Sequence, residues 1–565
     1  MSFRTMRGIQ QSMLSSMMPP RLPVIEPKGV VYTKRWVVEL LLDLAGYTSK
    51  ADLAAAVAVE PAAGTGAFLG PMIKRLADSC QRRGRPISDS YHSLIAYELD
   101  EQSAQRARAF AIESLKMCGV NPEVAEELAK AWVRTADYLF DSINVKADFV
   151  VGNPPYVRLE DIPEGRALLY RDAYTTMRGR ADLYVAFFEA ALSQLKDGGT
   201  CAFICADRWM RNQYGGELRE LITSHFAVDV VIEMHNAAAF QDEVDAYPAI
   251  TVIRRKKQRA VVVASAGPQL GDVPSGTISG ALLARESGND YRLIEGLRAA
   301  RVDNWFKGSA PWPCHSPEQL ALLRRLEEGF PALETFARVG IGVATGNDRV
   351  FITKDEHLVE SSRLLRLALA KDLCEGQVRW SGHYLIDPWE RDGLVDLARY
   401  PRLHAYLIEH RDALKERHTA LKNTSAWYKT IDRVTHSVTG KSKLYIADIK
   451  NRFDPALDDG ETYPHHNLYF VESDEWDLRV LGGLLMSSIG QFFIDSYGVR
   501  MRGGYMRFQA QYLRRIRVPN PKDVSLVHAQ ELIEAFRARD RQMASRTALE
   551  IFGISEVEME SAIGH

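Results

Sequence analysis

The chain has 565 residues, 46% of them hydrophobic and 25% charged, which is ordinary for folded domains and too long for one core, so two units are expected. A net charge of −2 excludes a uniformly basic nucleic-acid coat, so any DNA affinity must come from a local patch. The six cysteines are scattered, with Cys201 and Cys205 in an apolar run without companion ligands, which points to buried thiols in a reducing cytoplasm and to no metal centre. No apolar run reaches membrane-spanning length, and the start lacks an export signal.

Residues 1–28 are rich in Met, Ser and Pro and read as a flexible arm. From Thr33 onward, Trp36, Val37, Leu40, Leu41 and Leu44 follow helical spacing. Apolar strands then alternate with amphipathic helices to about Arg255, which predicts an α/β unit with a largely parallel sheet. The first strand, Val57-Ala58-Val59-Glu60, runs into the small-residue turn Pro61-Ala62-Ala63-Gly64-Thr65-Gly66, where a ligand can approach the backbone closely. The next strand ends in Glu98-Leu99-Asp100, and an acid there can accept from both hydroxyls of a ribose. Asp137, in Thr135-Ala136-Asp137-Tyr138, can accept from the amino group of an adenine ring.

The run Asp148-Phe149-Val150-Val151-Gly152 then stops in Asn153-Pro154-Pro155-Tyr156. Two prolines fix φ and donate no hydrogen bond, so the Pro154 carbonyl and the Asn153 amide oxygen can both face outward as acceptors for one planar amine, while Tyr156 offers a stacking face. Tyr184 to Leu192 reads as a core helix ended by Asp197-Gly198-Gly199, followed by the strand Thr200–Cys205. Val228–Glu233 and Ala249–Ile253 read as closing strands, with the loop Phe240-Gln241-Asp242-Glu243 between them. Residues from about Arg254 to Pro311 read as a connector with a few strands.

In this order, the motifs resemble the S-adenosylmethionine-dependent amino methyltransferases, and among them the gamma-type adenine-specific DNA enzymes of the TaqI kind, over about Gly29 to Pro519. The resemblance implies a Rossmann-like methyltransferase domain over 29–310, an antiparallel finish to its sheet, and a carboxyl-terminal α+β target-recognition domain over 311–565. It implies that Thr33, Glu60, Ala62, Gly64, Gly66, Glu98, Leu99, Asp137, Tyr138 and Asn153 hold S-adenosylmethionine, and that Asn153, Pro154, Pro155 and Tyr156 form the catalytic motif. Tyr156 and Phe240 would sandwich a flipped adenine, because chemistry on a base requires it out of the stack. The turn Ala-Ala-Gly-Thr-Gly is not the TaqI enzyme's own version.

Past Arg338, a hairpin is expected whose turn is Thr345-Gly346-Asn347-Asp348. Aromatic and basic residues interleave at Trp427-Tyr428-Lys429, at Lys441-Ser442-Lys443 and from Tyr497 to Phe508, which fits phosphate neutralisation. Within the last run, Arg500, Arg502 and Arg507 flank Gly503-Gly504 and are the expected DNA contacts. Arg514-Arg515-Ile516-Arg517 reads as a strand, and the tail after Asp523 as one or two packing helices. The expected protein is a monomer acting on double-stranded DNA in a restriction-modification or related defence system, with a separate restriction endonuclease as a possible partner. No fused nuclease is expected, since the segment before the first motif is short. An amino methyltransferase acting on RNA or on a protein glutamine, and an idle assembly subunit that keeps the fold, stay open beside it.

Overall fold

A computed structural model describes residues 31–242, 247–284, 292–303, 305–313, 316–422, 424–500 and 505–563. The expected arm, Glu243, Arg502 and Gly503-Gly504 lie outside them. The chain divides into two compact units, Met1–Leu320 and Ala321–His565.

In the first unit, the described residues form a ten-stranded sheet. Its strands are β1 (Ala58–Glu60), β2 (Leu94–Glu98), β3 (Val133–Thr135), β4 (Ala147–Gly152), β5 (Leu195–Ala206), β6 (Ala227–Glu233), β7 (Pro248–Arg254), β8 (Val261–Ala266), β9 (Arg292–Ile294) and β10 (Leu297–Val302). Their order is β3-β2-β1-β4-β5-β7-β6-β8-β10-β9. Strands β1 to β5 pair in parallel, and β7 inserts antiparallel between β5 and β6. The run Thr200 to Cys205 is buried throughout, as a strand covered on both faces must be. Helix Arg35–Ala45 buries its apolar side in one core layer, and helix Tyr184–Gln194 lies in the other. The turns that carry the candidate site residues therefore leave the carboxyl ends of β1, β2, β3 and β4 together, beside the switch in strand order between β1 and β4.

One expectation changes here, and the strands expected after Arg254 are present. The helix ends at Gln194, and Asp197-Gly198-Gly199 lies inside β5, where the pairing register with β4 shifts between Ala147 and Phe149. Gly198 has φ 80°, and a Cβ on Gly199 would sit 2.9 Å from Lys196 O and 3.0 Å from Ala147 O, so the glycines make a bulge. The connector after Arg254 supplies β8, β9 and β10, which extend the same sheet beyond β6.

The second unit is α+β. A six-stranded sheet orders Arg338–Ile341, Leu468–Glu472, Lys443–Ala447, Ala456–Asp458, Gln377–Val378 and Leu373–Cys374, and a four-stranded sheet is built on Leu364–Ala368. The expected hairpin is absent. Strand Arg338–Ile341 pairs antiparallel with Leu468–Glu472, while Thr345-Gly346-Asn347 leads into the short helix Asp348–Phe351. The reason is local: the Thr345 hydroxyl accepts from Asn347 N and donates to Asp348, which turns the chain into a helix instead of a hairpin. The tail forms three helices, Leu526–Ala538, Arg541–Phe552 and Glu556–Ile563, and Leu532 and Phe536 are buried. Among the described residues no single helix is long and apolar enough to cross a membrane, and the bent apolar pair Leu478–Met486 and Ser488–Tyr497 belongs to the core of this unit.

Candidate active site

Strand β4 delivers Asn153 to the end of the sheet. The space at Gly152 is tight, because a Cβ would stand 3.0 Å from Pro61 Cδ and 4.0 Å from Glu60 Cγ, so the end of β4 lies directly against the turn that follows β1. The Asn153 amide nitrogen donates to Val31 O and to Thr33 Oγ1, each at 3.1 Å. Val31 O can only accept, which fixes the NH₂ on that side and leaves Oδ1 buried without a partner. The segment carrying these acceptors is zipped to the Phe240 loop: Lys34 N donates to Ala239 O, Gln241 N donates to Tyr32 O, and Thr33 bridges Phe240.

Tyr156 is half-buried, and its hydroxyl has no partner. Burial pushes the phenol far up, so it stays neutral. The ring meets Phe240 at 6.2 Å and 80°, and Tyr184 at 6.3 Å and 77°, both edge-on. Phe240 therefore does lie beside Tyr156, but the two faces are not parallel, so a base between them requires one ring to turn.

In the turn after β1, Gly64 and Gly66 have φ 53° and 102°, the left-handed region open to glycine. Gly64 N donates to Glu98 Oε2 at 2.7 Å and Asp100 N to Glu98 Oε1 at 2.9 Å, so the carboxylate at the end of β2 clasps the glycine turn. One lone pair on each oxygen remains for a ligand. A Cβ on Gly64 would meet nothing within 4 Å, so the backbone there borders open space. Glu60 is 1% exposed and its Oε2 has no partner. Burial, and then the charge of Glu98, push its carboxyl well above the usual range. The unpartnered Oε2 of this buried acid, beside Gly152, is a polar atom that a hydrogen-bond donor or a cation would satisfy. Ala62 and Leu99 are half-buried at the rims of the two turns.

Asp137 caps the short helix Tyr138–Asp141, accepting from Leu139 N at 3.1 Å and from the Tyr170 hydroxyl at 2.7 Å. Burial raises its carboxyl and the Tyr170 bond opposes the rise. The Tyr138 side chain faces the core: it is 3% exposed, stacks on Phe187 and bonds Gln194, which leaves only its backbone for a ligand. Sequence reasoning missed Tyr170, and it missed the group in which Tyr184 and Tyr214 both donate to Asp182 Oδ2 at 3.0 Å. It also missed His235, which bridges Asp207 at the end of β5 and Glu233 at the end of β6 and is pushed up to about 9 by those carboxylates against the opposing effect of burial. Asp182 and Tyr184, and Glu233 and His235, stand two residues apart in the chain, whereas Tyr170–Asp137, Tyr214–Asp182 and His235–Asp207 are 33, 32 and 28 residues apart, and no local pattern announces these longer pairings.

In the second unit, Arg507 Nε faces both oxygens of Asp448 at 3.4 Å and remains about half exposed. Arg500 lies in the two-residue strand Val499–Arg500, which pairs with Met506–Arg507. Lys443 cannot touch phosphate: it is fully buried and pairs with Asp458 at 2.9 Å. Trp427 is buried in the core of this unit, and Tyr428 packs against that core, partly buried. Arg514 to Arg517 follow the helix Ala510–Leu513 rather than forming a strand, and Glu327 and Glu334 take Arg514, Arg515 and Arg517 as ion pairs.

Two family models match the chain: an Eco57I restriction-modification methylase over residues 89–240 and a TaqI-like C-terminal specificity domain over residues 396–518. The type II methyltransferase M.PaeR7I of Pseudomonas aeruginosa is 43% identical over 96% of this chain and 94% of its own length. The type II methyltransferase M.XhoI of Xanthomonas vasicola is 41% identical over 95% and 99%. A solved type IIL restriction-modification enzyme, MmeI in complex with DNA, shares the fold at 13% identity, with a TM-score of 0.54 over 99% of this chain and 75% of that one.

Proposed function

The chain belongs to the type II DNA methyltransferases that use S-adenosylmethionine, and from this premise we propose that it methylates the exocyclic amine of adenine within a specific duplex site. The observation that carries the proposal is the Asn153 carboxamide, whose NH₂ is consumed by Val31 and Thr33 while its buried Oδ1 has no partner. An acceptor held in that state is complementary to one N–H of an amine, and the Pro154 carbonyl takes the other.

When bound, S-adenosylmethionine supplies an electrophilic methyl group, so the protein has no need of a general-base pair. Glu60 and the Gly64–Gly66 turn would hold the methionine part, Glu98 and Leu99 the ribose, and Asp137 the adenine ring. Asn153 and Pro154 fix the target amine through its hydrogens and draw the nitrogen lone pair out of conjugation, and positioning of this kind lowers the barrier by removing orientational freedom beforehand. Tyr156, neutral and without a partner for its hydroxyl, contributes a face on which an extrahelical base stacks, with Phe240 as the second wall.

Residues 29–310 would carry the chemistry and 311–565 the choice of site, with Arg500, Arg502 and Arg507 contacting DNA. The enzyme would act as a cytoplasmic monomer, with a separate restriction endonuclease reading the same site. The test is Asn153→Ala: methyl transfer from tritiated cofactor should vanish while calorimetric affinity for the cofactor stays within about tenfold, or 1.4 kcal/mol. Near-normal turnover would overturn the assignment.

A further inference from the structure

Among the described residues, one group of three side chains able to ligate a metal converges: Asp348, His465 and His466, in the second unit. Their ligand atoms all lie within 4.8 Å of one another. Donors around a tetrahedral zinc sit roughly 3.4 Å apart, as follows from bonds of about 2.1 Å, so small rotamer adjustments close the set. We propose that these residues bind a divalent transition-metal ion of the zinc type, with the fourth position left to water.

His465 supplies the independent observation. It is 5% exposed, and neither ring nitrogen has a hydrogen-bond partner; the nearest acid is Asp348, with Oδ2 3.3 Å from Nε2. A buried imidazole with Nδ1 unpartnered and Nε2 facing only the Asp348 carboxylate, without a well-aligned hydrogen bond, is costly, and a metal held between these groups removes that cost. The two imidazoles are adjacent in sequence yet face one site, with ring centroids 4.1 Å apart, because the backbone here is a turn and not a strand: His466 N donates to Val343 O, and Leu468 N donates back to His465 O.

The frame that carries the ligands is fixed before any ion arrives. His465 N donates to Ala368 O, and Gly342 passes so close that a Cβ there would lie 2.2 Å from His465 O. Asp348 Oδ1 accepts from the buried Thr345 hydroxyl, which orients the carboxylate as outer-shell partners of metal ligands do. Asp432 adds negative charge nearby, accepting from Ala344 N at 2.9 Å. Two imidazoles with one carboxylate suit zinc, cobalt or nickel and not magnesium or calcium, which take oxygen ligands. The bound ion would tie the turn before Asp348 to the turn at His465-His466, and so hold the loop that replaces the expected hairpin.

The test uses the full chain, stripped with a chelator and titrated with cobalt(II). Uptake of a single equivalent with the visible bands of a tetrahedral site, displaced by zinc and untouched by magnesium, is expected. His466→Ala and Asp348→Asn, both at exposed positions, should each abolish those bands, and zinc should raise the unfolding midpoint of the wild type and not of the variants. Absence of the bands in wild type would overturn the proposal and leave a His465–Asp348 proton-mediated pair. Bands that persist in both variants would overturn it too, by placing the ion on other ligands.

Discussion

Thr33→Val isolates what anchors Asn153. The residue is 4% exposed and its backbone is held by the bridge to Phe240, so the nearly isosteric valine keeps the chain in place and removes only the hydroxyl. Asn153 Nδ2 then loses one of two acceptors, both now at 3.1 Å. A neutral hydrogen bond contributes about 0.5–1.5 kcal/mol net, and an orphaned buried donor costs about 1–3 kcal/mol. If the amide loses its fixed orientation by about 1–2 kcal/mol, the methyl-transfer step slows by roughly 5- to 30-fold. Single-turnover transfer to a cognate duplex, with enzyme and cofactor in excess, reads that step. Cofactor affinity, measured by calorimetry, should move less than about threefold if the hydroxyl serves only as the acceptor for Asn153 and its own O–H does not reach the cofactor. An unchanged rate with much weaker cofactor binding would refute the reasoning and make Thr33 a cofactor contact alone.

Removing the unpartnered hydroxyl in Tyr156→Phe should leave transfer within about twofold, whereas Tyr156→Ala should weaken the extrahelical state by about 1–3 kcal/mol, read from 2-aminopurine fluorescence at the target. Because the Glu60 carboxyl is raised by burial, its contribution to the cofactor-free fold is complete below the unfolded carboxyl range and is lost as pH rises through the folded value; Glu60→Gln should remove that part of the pH dependence in thermal unfolding. For His235, raised to about 9, the carboxylate pair stabilises fully below about 6.5 and the gain is lost as pH climbs through about 9, so urea midpoints of wild type and His235→Gln should converge at high pH. Arg507→Ala should lower duplex affinity and reduce the salt slope by about one, while Asp448→Asn, which frees Arg507, should strengthen binding; unchanged slopes in both would remove Arg507 from the DNA face.

The sheet and the turns at its carboxyl ends were legible because both are local. Fully apolar runs such as Thr200 to Cys205 mark covered strands, and Gly64, Gly66 and the Asn153 tetrapeptide each announce a turn within a few residues. What anchors Asn153 was not legible, since Val31 and Thr33 lie more than a hundred residues away. The second unit was read least well, because short signals there have two outcomes. Thr345-Gly346-Asn347-Asp348 has hairpin composition, yet its side chains bond one another and start a helix. Lys443 looks like a phosphate contact until Asp458, across the paired strand, buries it. The arginines 514, 515 and 517 likewise pair with Glu327 and Glu334, distant in the chain, while Arg514 stays substantially exposed.

The most direct test of the central claim is to identify the methylated base. Duplex DNA treated with the full chain and methyl-labelled S-adenosylmethionine, then digested to nucleosides and resolved by mass spectrometry, should place the label in N6-methyladenine and nowhere else. Label in a cytosine derivative, or transfer only to RNA or to protein, would contradict the account.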